Sequence, residues 1–341
     1  MSNERPSLPS TMRSAQYHSY GDPDVLSVNT IAIPTPAPGE VLVRVVASGV
    51  SNGELRLRQG GMRLLTGRRF PKGVGGDFAG TVAVLGDGVM GFEADDAVWG
   101  LLPRNVSLRA QTATAADYVV VPATSISRMP ERLTFAEAAA LPVVGQTAMT
   151  AVKDTTHIRE GESVLVRGAT GGVGLAALQF AVAAGGMVTA LIGRSGDDVA
   201  RELGASHVLR HRDTPLARLP KFDVIIDTVG TELLALRRHL NTNGRMAAVT
   251  VEPPLRGMLA VAVSRVHGSR RIRFSARNPD TAVLTRLAGE VQAGHLKPVI
   301  ADTYPLEHIA NAHRDAERGT GATGKRIIVL TDDATTAPTL E

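Results

Sequence analysis

The stretch VLVRGATGGVG, Val164 to Gly174, runs from β-branched apolar residues straight into small residues and glycines. A strand that breaks into a glycine turn and reopens as the apolar helix GGVGLAALQFAVAAG offers helix N-terminal amides at its carboxyl end. Amides placed that way hold a pyrophosphate. Gly171 permits close backbone approach, and Gly174 lets the helix pack on the strand. Ala169 stands where the usual fingerprint has its first glycine, so the expected contact run is Ala169, Thr170, Gly171, Gly172, Val173 and Gly174.

The flanking sequence repeats this alternation. TFAEAAALPVVGQTAMTAV has helical periodicity, SVLVRG, MVTALIG, HVLRH, FDVIIDTVG and RMAAVTV read as strands, and SGDDVARELGA as a helix. Continuous Val/Ile/Ala strands separated by helices predict an α/β fold with a doubly wound parallel sheet covered on both faces. Dinucleotide binding is the reading of the glycine turn in that context.

About twenty residues beyond the fingerprint, a protein selective for NAD places an acid on the ribose 2'-hydroxyl. This chain has Gly193, Arg194 and Ser195 there. An arginine and a hydroxyl suit a 2'-phosphate, and two charge-assisted hydrogen bonds of about 1.5–3 kcal/mol each would favour NADPH by about two to four powers of ten. Asp197 and Asp198 follow closely and are read as first-turn acids of the next helix, with Ser195 as a possible cap. His211, closing HVLRH, joins the cofactor-binding set.

Upstream, Val41 to Ala47, Gly80 to Gly86, Asp96 to Leu101 and Tyr118 to Pro122 are short apolar segments separated by PAPGE, GDGV and similar turns, which predicts a mostly-β first domain. The first ten residues and the tail DDATTAPTLE are polar and read as disordered.

Composition bounds the rest. At 43% hydrophobic and 21% charged residues over 341 positions, the chain is globular and long enough for two domains. The absence of cysteine excludes disulfides, thiolate metal sites and cysteine nucleophiles. The polar start MSNERPSLPSTMRS has no leader pattern and no apolar run reaches a membrane span, so a cytoplasmic protein with no membrane partner is expected. With 37 basic residues against 33 acidic ones, nucleic-acid binding is not expected. The one local cluster, SRVHGSRRIRFSARN from Ser264 to Asn278, carries five arginines; it reads first as a solvated strand face, and otherwise as a patch for an acidic substrate, a CoA-like phosphate or a polynucleotide. No G-x-S-x-G elbow supports hydrolase chemistry.

These residues together resemble the medium-chain dehydrogenase/reductase superfamily, in its zinc-independent quinone oxidoreductase branch. The resemblance runs from about Met12 to Thr331 and rests on GEVLVRVVASGVSNGEL, FPKGVGGDFAGTV, AAALPVVGQTAMTAV, GESVLVRGATGGVGLAALQFA, ARELGASHVL, FDVIIDTVG and ATGKRIIVL. It implies a GroES-like β-barrel domain from residues 1–127 and 276–341, a Rossmann domain over 128–275, and an active site in the cleft between them. Ser51, Gly76 and Pro142 match the positions of zinc ligands in metal-dependent relatives, and these three cannot build a zinc shell, so no metal is expected. The scattered histidines, His308 and His313 among them, read as structural or surface residues.

The resemblance further implies NADPH as cofactor, with Gln146 and Thr147 near the nicotinamide, Asp227, Val229, Gly230, Val249 and Val251 along the ribose and nicotinamide, and Gly324 with Lys325 beside it. The bland readings of Thr147 as a helix residue bonding its own backbone, and of Lys325 as an exposed turn lysine, stay open. Ser51, Asn52 and Glu54 only partly match the substrate-side pattern; with Thr147 they form the catalytic set. Met62 takes the place of a tyrosine that donates a proton in enoyl-thioester reductases, and a thioether cannot donate one. The expected activity is hydride transfer from NADPH to a quinone or to the C=C bond of an α,β-unsaturated carbonyl. A non-catalytic NADPH-binding protein is the alternative. A homodimer, joined through the strand near RRIRF, is implied as well.

Overall fold

The chain opens with β1 (Thr11–Tyr17), β2 (Leu26–Ala32) and β3 (Glu40–Gly49), then β4 (Lys72–Gly73), β5 (Asp77–Leu85), β6 (Ala97–Leu101), β7 (Tyr118–Pro122) and β8 (Ile126–Arg128). Next come β9 (Ser163–Arg167), β10 (Met187–Ile192), β11 (His207–Arg210), β12 (Phe222–Asp227), β13 (Leu240–Ala248) and β14 (Ile272–Phe274), and finally β15 (Ile300–Pro305) and β16 (Lys325–Val329). The computed structural model describes residues 8–103, 111–266, 271–275, 280–319 and 322–338.

β9 to β14 form one parallel sheet in the order β11-β10-β9-β12-β13-β14. The chain thus winds outward from β9 in one direction, returns, and winds outward in the other. That reversal leaves a crevice between the carboxyl ends of β9 and β12, where ligands bind in sheets of this kind. Val164 and Val166 of β9 pack into one buried cluster, while Leu165 between them packs into another on the opposite face. The run without polar alternation in VLVR is therefore the consequence of two covered faces.

A second sheet has the order β15-β16-β3-β5-β6-β8, with β7 also on β3. The carboxy-terminal β16 pairs antiparallel with β3, which brings residues 325–329 back to the amino-terminal barrel. β1, β2 and β4 form a third, small sheet. The barrel interior holds Val41, Val43, Phe78, Val98 and Val119. Val46, Ala47 and Trp99 on its outer side belong to the same cluster as Val164 and Val166, so one apolar seam joins the two sheets.

Several details differ from the sequence reading. TFAEAAALPVVGQTAMTAV is two helices, Phe135–Ala139 and Pro142–Met149, followed by a π-type segment Thr150–Thr156. Thr134 and Glu137 cap the first reciprocally, and Pro142, which lacks a donor N–H, can only start the second. Ser195 does not cap the helix Asp197–Glu202: Gly196 holds that place in a left-handed conformation at φ 100°, with Asp197 and Asp198 in the first turn as expected. A side chain there would collide with Thr170 and Thr323. In the tail, Asp332–Thr335 form an ordered turn, because Ala334 is buried in the main apolar cluster. Residues 1–7 and 339–341, like Arg270 and Arg277 of the basic cluster, lie outside the described residues.

Candidate active site

The turn after β9 is made by Gly168, at φ 75°, one residue before the expected first position. Ala169 is fully buried and faces the core. A Cβ on Gly174 would lie 2.0 Å from the Gly168 carbonyl oxygen, so only glycine lets the helix Gly172–Ala183 sit on the turn. Gly171 caps that helix without a side chain, and a Cβ there would meet only the Gly168 oxygen, at 3.4 Å. The first helical turn therefore faces open space, with its amides and positive dipole end toward it.

That space is a cavity of about 550 Å³, lined by Thr170, Gly171, Gly172 and Val173, by Gly193, Arg194 and Ser195, by Ser51 and Asn52, and by Gly324 and Lys325. Arg318, from the end of the helix Ile309–Arg318, adds a second guanidinium on the barrel side. Asp197 bonds Arg210 through Nη2 to Oδ2 at 3.0 Å and Nε to Oδ1 at 3.1 Å, and these bonds hold its carboxyl below the usual range. His211 is exposed at the end of β11 and donates its backbone N–H to Ile192, just before Gly193.

A second cavity of about 640 Å³ adjoins the first and shares Ser51, Gly53 and Val143 with it. Its walls are mostly apolar: Leu57, Met62, Leu101, Leu102, Val249, Val251, Pro254 and Phe274, with Glu54, Gln146 and Thr147 among them. Arg56 and Glu252 pair across this cleft, from the helix Asn52–Arg58 to the segment after β13. The Thr147 hydroxyl donates to the Val143 carbonyl at 2.7 Å, so its proton is spent within the helix while its oxygen still faces the cleft.

Lys325 is not an exposed turn lysine. Its side chain is 6% exposed, and Nζ lies 2.6 Å from Oδ2 of the fully buried Asp77, whose Oδ1 accepts the Val143 N–H at 2.6 Å. Burial pushes the Asp77 carboxyl up, and the Lys325 charge opposes that. One carboxylate thus joins β5, β16 and the helix Pro142–Met149 at the seam between the cavities. Asp227 faces inward as well: it accepts the Gly230 N–H at 2.8 Å and lies 3.4 Å from Arg167. Burial raises this carboxyl too, against the pull of Arg167. Asp227 thereby shapes the Thr228–Gly230 turn, and Val229 stays exposed beside it.

Sequence reasoning missed Gly168, Asp77, Arg318 and the contact of Glu54 with His313. A lone acid opening the apolar strand DFAGTVAVL was a usable signal for Asp77, since an unpaired buried carboxylate is not tolerated. Glu54 and His313 had none.

Ser51 and Gly76 stand on the cleft and Pro142 starts the helix behind it. One hydroxyl among the three cannot make a tetrahedral zinc shell. The glycine cradle and the space beyond it do fit a dinucleotide.

Residues 37–131 match the family model described as alcohol dehydrogenase GroES-like domain, and residues 203–328 match one described as zinc-binding dehydrogenase. The quinone oxidoreductase of Homo sapiens is 32% identical over 335 residues, covering 94% of this chain and 98% of that one. That of Mus musculus is 32% identical over 338 residues with the same coverage. The structure of the quinone oxidoreductase from Coxiella burnetii superposes with a TM-score of 0.85 at 25% identity, covering 94% of this chain and all of that one. With a nucleotide groove opening into an apolar cleft and no residues able to hold zinc at the matching positions, the chain belongs to the medium-chain dehydrogenase/reductase superfamily, as an oxidoreductase of its zinc-independent quinone oxidoreductase-like group.

Proposed function

We propose that the protein takes NADPH and reduces a quinone or the C=C bond of an α,β-unsaturated carbonyl. The observation that carries this reading is the shared wall: Ser51, Gly53 and Val143 border both the glycine-lined groove and the apolar cleft. A cofactor laid in the first can meet a flat apolar acceptor in the second. The bound nicotinamide supplies the hydride; the chain orients both partners and keeps water from the cleft.

The preference for NADPH is supported by Arg194 and Ser195 at the groove, with Arg318 opposite them. It is supported again by Asp197, whose carboxylate is committed to Arg210 rather than turned toward a ribose. The test follows NADPH and NADH oxidation at 340 nm against quinones, enones and enoyl thioesters. Turnover with NADPH is expected, and Arg194→Ala should raise the KM for NADPH about 10- to 100-fold, one charge-assisted hydrogen bond's worth, leaving the KM for NADH unchanged. Cofactor binding without turnover on any acceptor would favour the non-catalytic alternative.

A homodimer is also proposed. β14 pairs only with β13 among the described strands and ends the parallel sheet, and Phe274 on it is 40% exposed. Leu255, Met258, Leu259 and Val263 are exposed on the helix Pro254–Val266 that packs beside it. A second copy would cover both, and an unpaired sheet edge is the surface that such pairing uses.

A further inference from the structure

We propose that Glu54 delivers the proton that accompanies each hydride, held in place for this by His313; the proposal rests on the reductase reading above. Glu54 is 7% exposed and borders both the apolar cleft and a small chamber of about 10 Å³ beside Tyr17, Thr66 and Gly75. Nε2 of the fully buried His313 lies 3.3 Å from Oε1 of Glu54. Oε2 of Glu54 and both ring nitrogens of His313 make no hydrogen bond among the described residues. Buried polar atoms left in that state cost stability.

A purely structural staple does not explain that cost. The helices Asn52–Arg58 and Ile309–Arg318 are already tied by Arg58 to Glu317 and by Gln59 Nε2 to Glu317 Oε1 at 2.9 Å. The cleft, by contrast, lacks a donor where Met62 offers only a thioether. His313 contacts Glu54 and Tyr17 on β1 shares the chamber wall with it, while the charges of Arg58 on its own helix and Asp77 on β5 lie near enough to act on it. Burial raises the Tyr17 hydroxyl, which keeps it protonated beside the acid. The chamber has the size of one water, and Thr66 on its wall shares a 2.6 Å hydrogen bond with the hydroxyl of half-buried Tyr20. The Thr66 and Tyr20 hydroxyls therefore adjoin the chamber that Glu54 borders.

Once hydride has reached the acceptor, the acceptor carries an enolate or phenolate charge. The O–H bond of Glu54 breaks, and a C–H bond forms α to the carbonyl, or an O–H bond at the quinone oxygen. The Glu54 carboxylate left behind, facing His313, regains one proton from solvent through the chamber. Each turnover uses one hydride and one solvent proton and needs no other reductant.

The test uses the full-length protein with an α-substituted enone in D₂O, reading kcat, the Kd of NADPH by fluorescence, and the face of the α-carbon that receives deuterium. Single-face deuteration by the wild type is expected. Glu54→Gln should bind NADPH within about twofold of wild type, lose about 100-fold or more in kcat and scramble the deuterium. Glu54→Asp should restore single-face delivery at reduced kcat, and His313→Gln should lower kcat with KM unchanged. Scrambled deuterium from the wild type, or a Glu54→Gln variant that keeps kcat and single-face delivery, overturns the proposal while the reductase reading stands. Failure of NADPH-loaded wild type to reduce any acceptor overturns both.

Discussion

Two glycines three residues apart make opposite demands on the same turn. At Gly174 a Cβ would lie 2.0 Å from the Gly168 oxygen, so Gly174→Ala must push the helix off the strand, a strain of about 1–3 kcal/mol. At Gly171, with φ −79°, alanine is tolerated by the chain, and its methyl would stand in the groove. Gly174→Ala should therefore lower Tm, whereas Gly171→Ala should keep Tm and lose NADPH binding; thermal melts with and without NADPH separate the two. Both glycines were legible from spacing after a strand. Gly168 was not, because a positive φ depends on where the chain turns, and the fingerprint placed that turn at Ala169. The Asp77–Lys325 pair was equally hidden, its members being 248 positions apart.

Among the elements, the π-type segment Thr150–Thr156 and the start of β9 are held by one arginine. Arg245 on β13 donates to the carbonyls of Thr156 and His157 and pairs with Glu162 at 2.6 Å. That pairing holds the Glu162 carboxyl below its ordinary value. A depressed carboxylate contributes stability above its unfolded pKa and loses it as pH falls through the folded one. Glu162→Gln should accordingly be less stable than wild type at pH 7 and approach it below about pH 4, as urea melts across that range would reveal. The strand and helix pattern of the parallel sheet was readable because strands buried on both faces leave an unbroken apolar trace. The break at Pro142 and the cap at Gly196 were readable only in part, since caps depend on what packs against them.

At the scale of the molecule, the proposed reaction depends on two cavities meeting at Ser51, Gly53 and Val143, with the carboxy-terminal β16 returning to β3 to carry Lys325 to the wall of the first. The proposed homodimer adds a further prediction. Light scattering should give the mass of two chains, and Phe274→Asp, which places a charge on the exposed end of β14, should give one; a wild-type mass of one chain would refute the dimer.

By itself, the amino-acid order determined the parallel sheet, the glycine cradle and the unsuitability of Ser51, Gly76 and Pro142 as zinc ligands, because each follows from local periodicity or from the chemistry of single residues. The pairing of Asp77 with Lys325, the inward turn of Asp227, the groove arginine at 318 and the meeting of Glu54 with His313 were decided only by tertiary structure. Asp77 with Lys325, Asp227 with Arg167, and Glu54 with His313 join residues at least 60 positions apart, and no short-range rule of spacing carries that information.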